Sequence, residues 1–376
     1  MNAKELREIL GARAALKERG VRAAVATLLK VEGSAYRGPG ARLLVSEDGE
    51  SWGFVSGGCV EGDLLEKARE VIRRGEARLV LYDTTAPGDA LWGSGLGCNG
   101  VVTILVEPAE GAALDPLEFA RECLGRGTGL LATLFRADGR GREAVSRLVL
   151  YPGGELRSEI DDRDLAAAVE AAARECLATG RTGLIGLPSD GVDFDLLVER
   201  LGPPLTLLII GAGPDARPLA ALASNLGWRA VVVDWREELV RRERFPEAES
   251  VLLLRPEELS AALPAAGETA AVLMSHHFPM DADYLERLMG QPFTYLGLLG
   301  PKKRAEGLLS ELARRGVRPT PDQMRCLHGP VGLDIGAEGP EEIALAVAAE
   351  ILARARGAGG GPLRDRAGPL HARAGS

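Results

Sequence analysis

The spacing of hydrophobic and polar residues changes character near the middle of the chain. Up to about residue 200, apolar runs of strand length are mixed irregularly with amphipathic segments of helical spacing. Beyond a Gly-Pro-Pro segment at 202–204, short apolar runs alternate regularly with amphipathic helical patterns. Regular strand–helix alternation is typical of a doubly wound parallel sheet, whereas the irregular first part is typical of an α+β domain.

In the first part, apolar positions three and four residues apart predict helices within 1–20, 63–75 and 164–177. Runs rich in apolar and β-branched residues predict strands over 21–31, 42–46, 51–55, 78–82, 101–107, 130–135 and 146–151. In the second part, strands are predicted over 205–210, 229–233, 251–254, 270–274 and 295–299, with 251–254 and 270–274 buried. Helices are predicted there over 215–226, 303–314 and 341–355.

The predicted fold class is therefore α/β, with an N-terminal α+β domain over 1–200 and a Rossmann-like doubly wound parallel-sheet domain over 201–356. Residues 357–376 are rich in Gly, Arg and Ala, and we expect them to form a disordered tail. A chain of 376 residues is too long for one ordinary core, which also favours two domains.

Charge and composition exclude several classes of protein. The formal net charge of −9 argues against general nucleic-acid binding, which needs a basic face. No apolar stretch approaches the roughly 20 residues of a membrane span, and the N-terminus lacks the apolar core of a signal peptide. The five cysteines are widely spaced without a CxxC pair, so we expect reduced thiols and a cytoplasmic location.

A glycine turn follows the first strand of the second part. Gly211 and Gly213 come directly after the apolar run 205–210 and precede a predicted helix, an arrangement that presents backbone N–H groups to a phosphate. Asp234 ends the next strand, where a carboxylate can bind a ribose hydroxyl. The same glycines also suit a scaffold that needs only a tight turn, and Asp215 at the helix start opposes a pyrophosphate.

Two cysteines lie in loops made mostly of glycine. The first loop is Ser56-Gly57-Gly58-Cys59, and the second is Gly95-Leu96-Gly97-Cys98. Neighbouring glycines allow backbone and thiol to approach a ligand closely, and soft thiolates suit metal or sulfur ligands. Cys123, Cys176 and Cys326 lack this context and are interpreted as small buried residues. The few, scattered histidines do not fit the spacing of a zinc site.

Taken together, these motifs resemble the XdhC/CoxI family over about residues 20–355. In the first part the resemblance lies in three segments: Gly33 to Val45, Ser56 to Gly62, and Gly95 to Cys98. In the second part it lies in Gly211-Ala212-Gly213, Asp234-Trp235-Arg236, Ser275-His276-His277 with Asp281, Tyr295 to Gly300, and His328 to Ala337.

The resemblance implies an accessory factor for molybdenum hydroxylases such as xanthine dehydrogenase, and a chaperone more than a metabolic enzyme. Such proteins bind the molybdenum cofactor (molybdopterin), support its sulfuration and deliver it to the apoenzyme. The implied partners are a molybdenum hydroxylase apoenzyme and a cysteine desulfurase-type sulfur donor, and a homodimer is expected. Neither nucleic acid nor membrane is an expected partner.

The resemblance also implies a set of site residues. Cys59 and Cys98 would contact molybdenum or hold a persulfide sulfur, with Gly57, Gly58 and Gly97 giving access. Basic side chains would neutralise the cofactor phosphate, namely those of Arg37, Arg42 and Arg304. His276, at a strand end of the Rossmann half, and His328, in a Gly-Pro loop, are further candidates.

Two other functions stay open from the residues alone. One is an NAD(P)-dependent oxidoreductase acting on a small molecule, with His276 as its acid or base. The other is a nucleotide-sensing module, in which only Gly211, Gly213 and Asp234 would matter. Accessible, reactive thiols at Cys59 or Cys98 would favour the maturation factor over both.

Overall fold

The computed structural model describes residues 1–33, 35–58, 60–83, 100–136, 144–180, 183–189, 192–264 and 267–365. They form two compact units. The first contains Met1 and residues from 5 to 203, and the second contains residues 2–4 and those from 204 onward.

The described part of the first unit contains two antiparallel five-stranded sheets and four helices. The helices are α1 (Ala3–Glu18), α2 (Glu61–Arg74), α3 (Pro116–Arg126) and α4 (Arg163–Thr179). The first sheet contains β1 (Ala23–Gly33), β2 (Arg42–Ser46), β3 (Ser51–Gly53), β4 (Arg78–Asp83) and β5 (Gly100–Pro108). The second contains β6 (Gly129–Arg136), β7 (Ala144–Leu150), β8 (Leu156–Ser158), β9 (Gly183–Ser189) and β10 (Val192–Leu201).

The two sheets repeat one topology. Their strand orders are β3-β2-β1-β5-β4 and β8-β7-β6-β10-β9, and in each a helix precedes the first strand and another follows the third. We call the segment from α1 to β5 the first copy and the segment from α3 to β10 the second copy. The registers also match, since Thr27 lies opposite Arg42 and Leu105 just as Thr133 lies opposite Arg147 and Leu197.

Each copy buries one sheet face against its own helix. α2 packs Leu64, Ala68 and Val71 onto the first sheet, and α4 packs Val169, Ala173 and Cys176 onto the second. The helical spacing of these apolar residues explains why the segments fold as amphipathic helices. Helix α2 ends at Gly75, whose φ of 73° is the left-handed conformation that glycine adopts most easily.

The opposite faces of the two sheets meet around equivalent residues. The shared apolar cluster contains Leu29, Leu79 and Leu105 from the first copy and their counterparts Phe135, Leu184 and Leu197 from the second. Two buried ion pairs join the sheets reciprocally, because Arg42 contacts Glu199 at 2.7 Å and Arg147 contacts Glu107 at 2.6 Å. Arg42 and Arg147 hold equivalent positions, as do Glu107 and Glu199.

The second unit is a parallel six-stranded sheet flanked by helices. Its strands are β11 (Thr206–Ile210), β12 (Arg229–Asp234), β13 (Ser250–Leu253), β14 (Thr269–Leu273), β15 (Tyr295–Leu298) and β16 (Leu327–His328). Its helices are α5 (Ala216–Asn225), α6 (Phe278–Leu288), α7 (Lys302–Arg314), α8 (Pro321–Cys326) and α9 (Pro340–Ala355). Short 3-10 helices lie at Arg242–Arg244, Pro256–Ala262 and Leu363–Asp365.

The order β13-β12-β11-β14-β15-β16 is the 3-2-1-4-5-6 order of the dinucleotide-binding fold. Apolar clusters cover both faces of this sheet, which explains the continuous apolar runs of its central strands. The predicted fold class is thus confirmed. The strand predicted over 251–254 is present as β13, but the prediction that it is buried was wrong. β13 is an edge strand, and Leu253 is 49% exposed.

None of the helices among the described residues is long and apolar enough to cross a membrane.

Candidate functional site

The three motif segments of the first copy belong to connections whose described ends share one edge of its sheet. β1, β3 and β4 end at this edge, where β2 and β5 begin, as the antiparallel pairing shows. The connections 34–41, 54–60 and 84–99 therefore all start and finish there. We call this the loop edge. Cys59, Cys98 and Gly97 belong to these connections but lie outside the described residues.

The segment before α2 is held by Glu61, the first residue of that helix. Its Oε1 accepts a 2.8 Å hydrogen bond from the Ser56 N–H, and its Oε2 accepts one from the Ser56 hydroxyl. The Ser56 hydroxyl oxygen in turn accepts the Gly58 N–H at 3.1 Å. Gly58 has a φ of 108°, which favours glycine, so the local sequence fixes a tight turn directly ahead of the helix.

An exposed aromatic side chain stands beside this turn. Tyr36 is 67% exposed, lies 6.3 Å from the Phe54 ring between centroids, and has its ring 3.7 Å from where a Gly57 Cβ would be. Arg37 stacks its guanidinium on Phe54 at 4.3 Å and donates two hydrogen bonds to Glu5. Its charge is therefore already matched by a carboxylate, and the phosphate-binding role expected for Arg37 stays a prediction.

The structure corrects the expected role of Arg42. Its side chain is 1% exposed and donates hydrogen bonds to both carboxylate oxygens of Glu199, at 2.9 and 2.7 Å. A buried guanidinium that is neutralised in this way cannot reach the phosphate of a bound cofactor. Arg42 instead joins the two sheets, and it steadies the 34–41 connection by donating to the Gly40 carbonyl at 3.1 Å.

The second copy lacks the features of the loop edge. Two of its three corresponding connections, 159–162 and 190–191, are shorter than 54–60 and 84–99, while 137–143 is one residue shorter than 34–41. Its helix α4 is capped by Asp162, which accepts N–H bonds from Asp164 and Leu165. Among the described residues no side chain caps the start of α2, and its first turn contains the acidic side chains of Glu61 and Asp63.

In the second unit, the turn after β11 packs against the end of β14. Gly211 has a φ of 115°, and a Cβ there would lie 2.6 Å from the Ser275 backbone. Only glycine permits this approach. These two strands are the neighbours at which the strand order reverses, and such a reversal is where doubly wound sheets bind their ligands.

The carboxylate of Asp234 is already hydrogen-bonded to neighbouring residues of its own chain. It is fully buried, and its carboxylate accepts the Ala212 N–H at 2.7 Å and hydrogen bonds from the Arg236 backbone and guanidinium. Burial would raise the pKa of Asp234, but the hydrogen bonds from Arg236 and Ala212 outweigh it and hold that pKa below its usual range. The ribose-binding role stays a prediction, and the contacts seen here stabilise the glycine turn.

Asp215, which directly follows the turn, pairs with His276. The Asp215 Oδ2 lies 2.6 Å from the His276 Nε2, and the other carboxylate oxygen faces Gly213. Sequence reasoning identified His276 as a site residue but treated Asp215 only as an obstacle to phosphate. Their pairing depends on the sheet order, which places the ends of β11 and β14 side by side.

Arg304 belongs to a small polar network next to this pair. It donates a 2.7 Å hydrogen bond to Asp281, which also accepts one from the Ser275 hydroxyl. The Arg304 guanidinium lies 5.6 Å from the Phe278 ring centroid. The network fixes the segment that contains His276, while a phosphate role for Arg304 stays a prediction.

His328 lies apart, at the edge strand β16. It donates from Nδ1 to Glu350 at 2.9 Å and stacks on Tyr295, with 4.4 Å between ring centroids. Glu350 also accepts the Gly332 N–H at 2.8 Å and the Tyr295 hydroxyl. Burial and the neighbouring Glu350 raise the pKa of Tyr295, so the phenol stays protonated and this cluster is a structural tie between β15, β16 and α9.

The other described cysteines agree only in part with the interpretation that they are small buried residues. Cys123 and Cys176 are buried, whereas Cys326 is partly exposed. Burial raises the pKa of the Cys123 thiol to about 12, which makes it unreactive. Among the residues that the structure describes, no group of three or more His, Cys, Asp or Glu side chains has the geometry of a metal site.

Comparison with known proteins agrees with this architecture. A family model described as the XdhC Rossmann domain matches residues 207–351, and one described as the XdhC and CoxI family matches residues 16–83. The fold and the site therefore define a class of two-unit proteins, in which an α+β unit with long connecting loops is followed by a Rossmann unit.

The chain belongs to the XdhC and CoxI family. A Bacillus subtilis protein described as a probable xanthine dehydrogenase subunit is 33% identical over 338 residues, which cover 90% of this chain and 94% of that protein. The molybdenum cofactor insertion chaperone PaoD of Escherichia coli is 28% identical, over 88% of this chain and 83% of PaoD. A crystal structure described as a xanthine dehydrogenase from Bacillus halodurans has a TM-score of 0.74 and 28% identity, covering 96% of this chain and 98% of that one.

Proposed function

We propose that this protein binds the molybdenum cofactor, supports its sulfuration, and inserts it into a molybdenum hydroxylase of the xanthine dehydrogenase type. The cofactor is cargo in this proposal, held at the loop edge and passed to the client apoenzyme. The similarity to PaoD over most of both chains supports a role in cofactor insertion.

The observation that carries the proposal is the contrast between the two copies of one topology. At the loop edge the connections 54–60 and 84–99 are longer than their counterparts 159–162 and 190–191, and the family's glycine and cysteine motifs lie in those two connections. Both copies need the same sheet and helices in order to fold, so folding does not account for the longer connections of the first copy. Binding of a ligand accounts for them, because binding residues are concentrated in loops.

The described residues at the loop edge suit such a cargo. The exposed Tyr36 ring can stack on a planar pterin. Cys59 and Cys98 supply soft sulfur ligands for molybdenum or a site for a persulfide. Arg42 takes no part, because it is buried in its ion pair with Glu199.

A transfer assay tests the proposal. The purified chain is loaded with cofactor under anaerobic conditions and mixed with a molybdenum hydroxylase apoenzyme and a cysteine desulfurase, and hydroxylase activity is followed. We expect transfer by the wild type, loss in Cys59→Ala and Cys98→Ala, and wild-type transfer in Cys326→Ser, a matched control in the Rossmann unit. Equal transfer by all four proteins would refute the assignment to the loop-edge thiols.

A further inference from the structure

A histidine–aspartate pair spans the crevice between the two central strands of the Rossmann sheet. Asp215 lies at the start of α5, after the turn that follows β11, and His276 directly follows β14 and Ser275. Since β11 and β14 are the strands at which the order reverses, the pair lies where a ligand of this fold would bind.

The contact determines which ring nitrogen of His276 is basic. An ionised carboxylate only accepts hydrogen bonds, so at the 2.6 Å contact the His276 Nε2 carries the hydrogen and donates it to Asp215. Nδ1 is then the nitrogen with a free lone pair. The imidazole is 65% exposed, whereas the Asp215 side chain is only 14% exposed, so the carboxylate is sheltered and the base faces solvent.

Two unfavourable features are concentrated at this pair. Among the described residues, His276 is the only non-glycine with a positive φ, at 61°. The Asp215 Oδ1 is buried and has no hydrogen-bond partner in the described part of the chain. Strained backbone and unsatisfied buried polar atoms persist where the surrounding structure enforces them, and they cluster at functional sites.

The neighbouring charges are already paired with one another. Asp281 is matched by Arg304, and Asp234 is matched by Arg236. Ser275 and the backbone of Gly211 hold the segment in place, since the Ser275 hydroxyl oxygen accepts the His277 N–H at 3.1 Å. Asp215 is therefore the carboxylate available to His276.

We propose that His276 accepts a proton from a ligand bound in this crevice, with Asp215 as the residue that positions the ring. The ligand donates a proton from nitrogen, oxygen or sulfur. That bond breaks, the electron pair stays on the ligand atom, and a new N–H bond forms at Nδ1. The resulting imidazolium is balanced by the Asp215 carboxylate, so the step needs no oxidant or reductant.

The molybdenum cofactor is the probe ligand for this crevice, a choice that rests on the proposed function, and its contact with His276 is a step separate from its retention at the loop edge. A pterin ring has N–H groups that can donate a proton to the pair, whereas the dithiolene sulfurs of the assembled cofactor bind molybdenum and carry no hydrogen. The pair itself does not depend on that choice.

Replacement of His276 by glycine with added imidazole tests the proton acceptor. Glycine adopts the φ of 61° without penalty, so His276→Gly removes the ring and keeps the backbone. In the cofactor-transfer assay we expect a rate about 100-fold lower, typical of a lost general base, with recovery when imidazole is added. The control His277→Asn keeps a side-chain acceptor for the Met280 N–H and should transfer like the wild type, with no response to imidazole.

A wild-type rate for His276→Gly, or a loss that imidazole does not restore, would overturn the proton-acceptor role.

Nitrogen-15 spectra of the histidine rings test the positioning role of Asp215 without any cofactor. The wild type should show His276 as the Nε2–H tautomer at pH 8, and Asp215→Ala should show a mixture. A mixture in the wild type would overturn the pairing. Failure of the wild type to bind cofactor would instead count against the proposed function alone.

Discussion

At the scale of single residues, Arg42 and Arg147 show why charge alone is a poor guide to a binding site. The resemblance implied a phosphate-binding role for Arg42, yet both arginines are buried in reciprocal ion pairs with glutamates of the other copy. The Nε atom of each arginine is also left without a partner in the described structure. Because the two arginines hold equivalent positions, we infer that the two ion pairs fix the alignment of one sheet on the other.

Removal of one partner of such a pair leaves a buried, uncompensated charge. Arg42→Met should lower the free energy of unfolding of the first unit by about 3–5 kcal/mol. Arg42→Met combined with Glu199→Met should cost clearly less than the sum of the single changes. Urea unfolding of the four proteins of this cycle provides the measurement, and additive losses would show that the two side chains do not interact. Arg147→Met should match Arg42→Met because its environment is equivalent.

The lowered pKa of Asp234 predicts that the stability of the second unit depends on pH. Its lowered pKa means that its contribution is present above the unfolded value near 4 and is lost as the pH falls through the folded value. Asp234→Asn should therefore lower stability at pH 7 by about 1.5–3 kcal/mol, the worth of hydrogen bonds to a charged group, and by less at pH 3. Hydrogen exchange of the β11 and β12 amides measures this, and an equal loss at both pH values would contradict it.

At the scale of elements, the first copy and the second copy differ in the start of one helix. α4 is capped by Asp162, while α2 follows a turn that Glu61 holds through Ser56. The periodicity of the sequence predicted α2, α4, α5 and most strands, because their apolar faces are regular. It missed α3, α6, α8, β8, β9, β10 and β16, where the element is short or Pro, Gly and acidic residues interrupt the pattern.

The link between Ser56 and Glu61 makes the turn before α2 rigid. Glu61→Ala removes the acceptor of the Ser56 N–H and hydroxyl, so amide exchange at Ser56 and Gly58 should rise about tenfold, equivalent to about 1.4 kcal/mol. Glu66→Ala, an exposed change on the same helix, is the matched control. Equal exchange in wild type and Glu61→Ala would show that other contacts fix the turn.

The start of α5 predicts weak binding of dinucleotides. Asp215 places a carboxylate near the position of a pyrophosphate, and Asp234 already uses its oxygens on Ala212 and Arg236. Titration with NADH, followed by its fluorescence, should give a dissociation constant weaker than about 1 mM, which corresponds to about 4 kcal/mol of binding free energy. Micromolar binding would revive the oxidoreductase and nucleotide-sensing alternatives.

At the scale of the whole chain, the sequence predicts an α+β part followed by a Rossmann-like part, but it does not reveal the internal repeat of the first unit. The repeat within the first unit rests on few shared side chains, chiefly the Thr, Arg and Glu at equivalent register positions. Strand order and register reveal it, and neither can be read from periodicity. The same limit hid the pairing of Asp215 with His276, since it arises only when β11 and β14 become neighbours.

The central claim is that the loop edge of the first copy holds a molybdenum cofactor through its cysteines. The most direct measurement is the molybdenum and pterin content of the chain purified anaerobically from a molybdate-fed host, beside Cys59→Ala and the control Cys326→Ser. The account predicts similar contents in the wild type and the control, and their loss in Cys59→Ala. Pterin absent from all three proteins, or retained equally in all three, would contradict it.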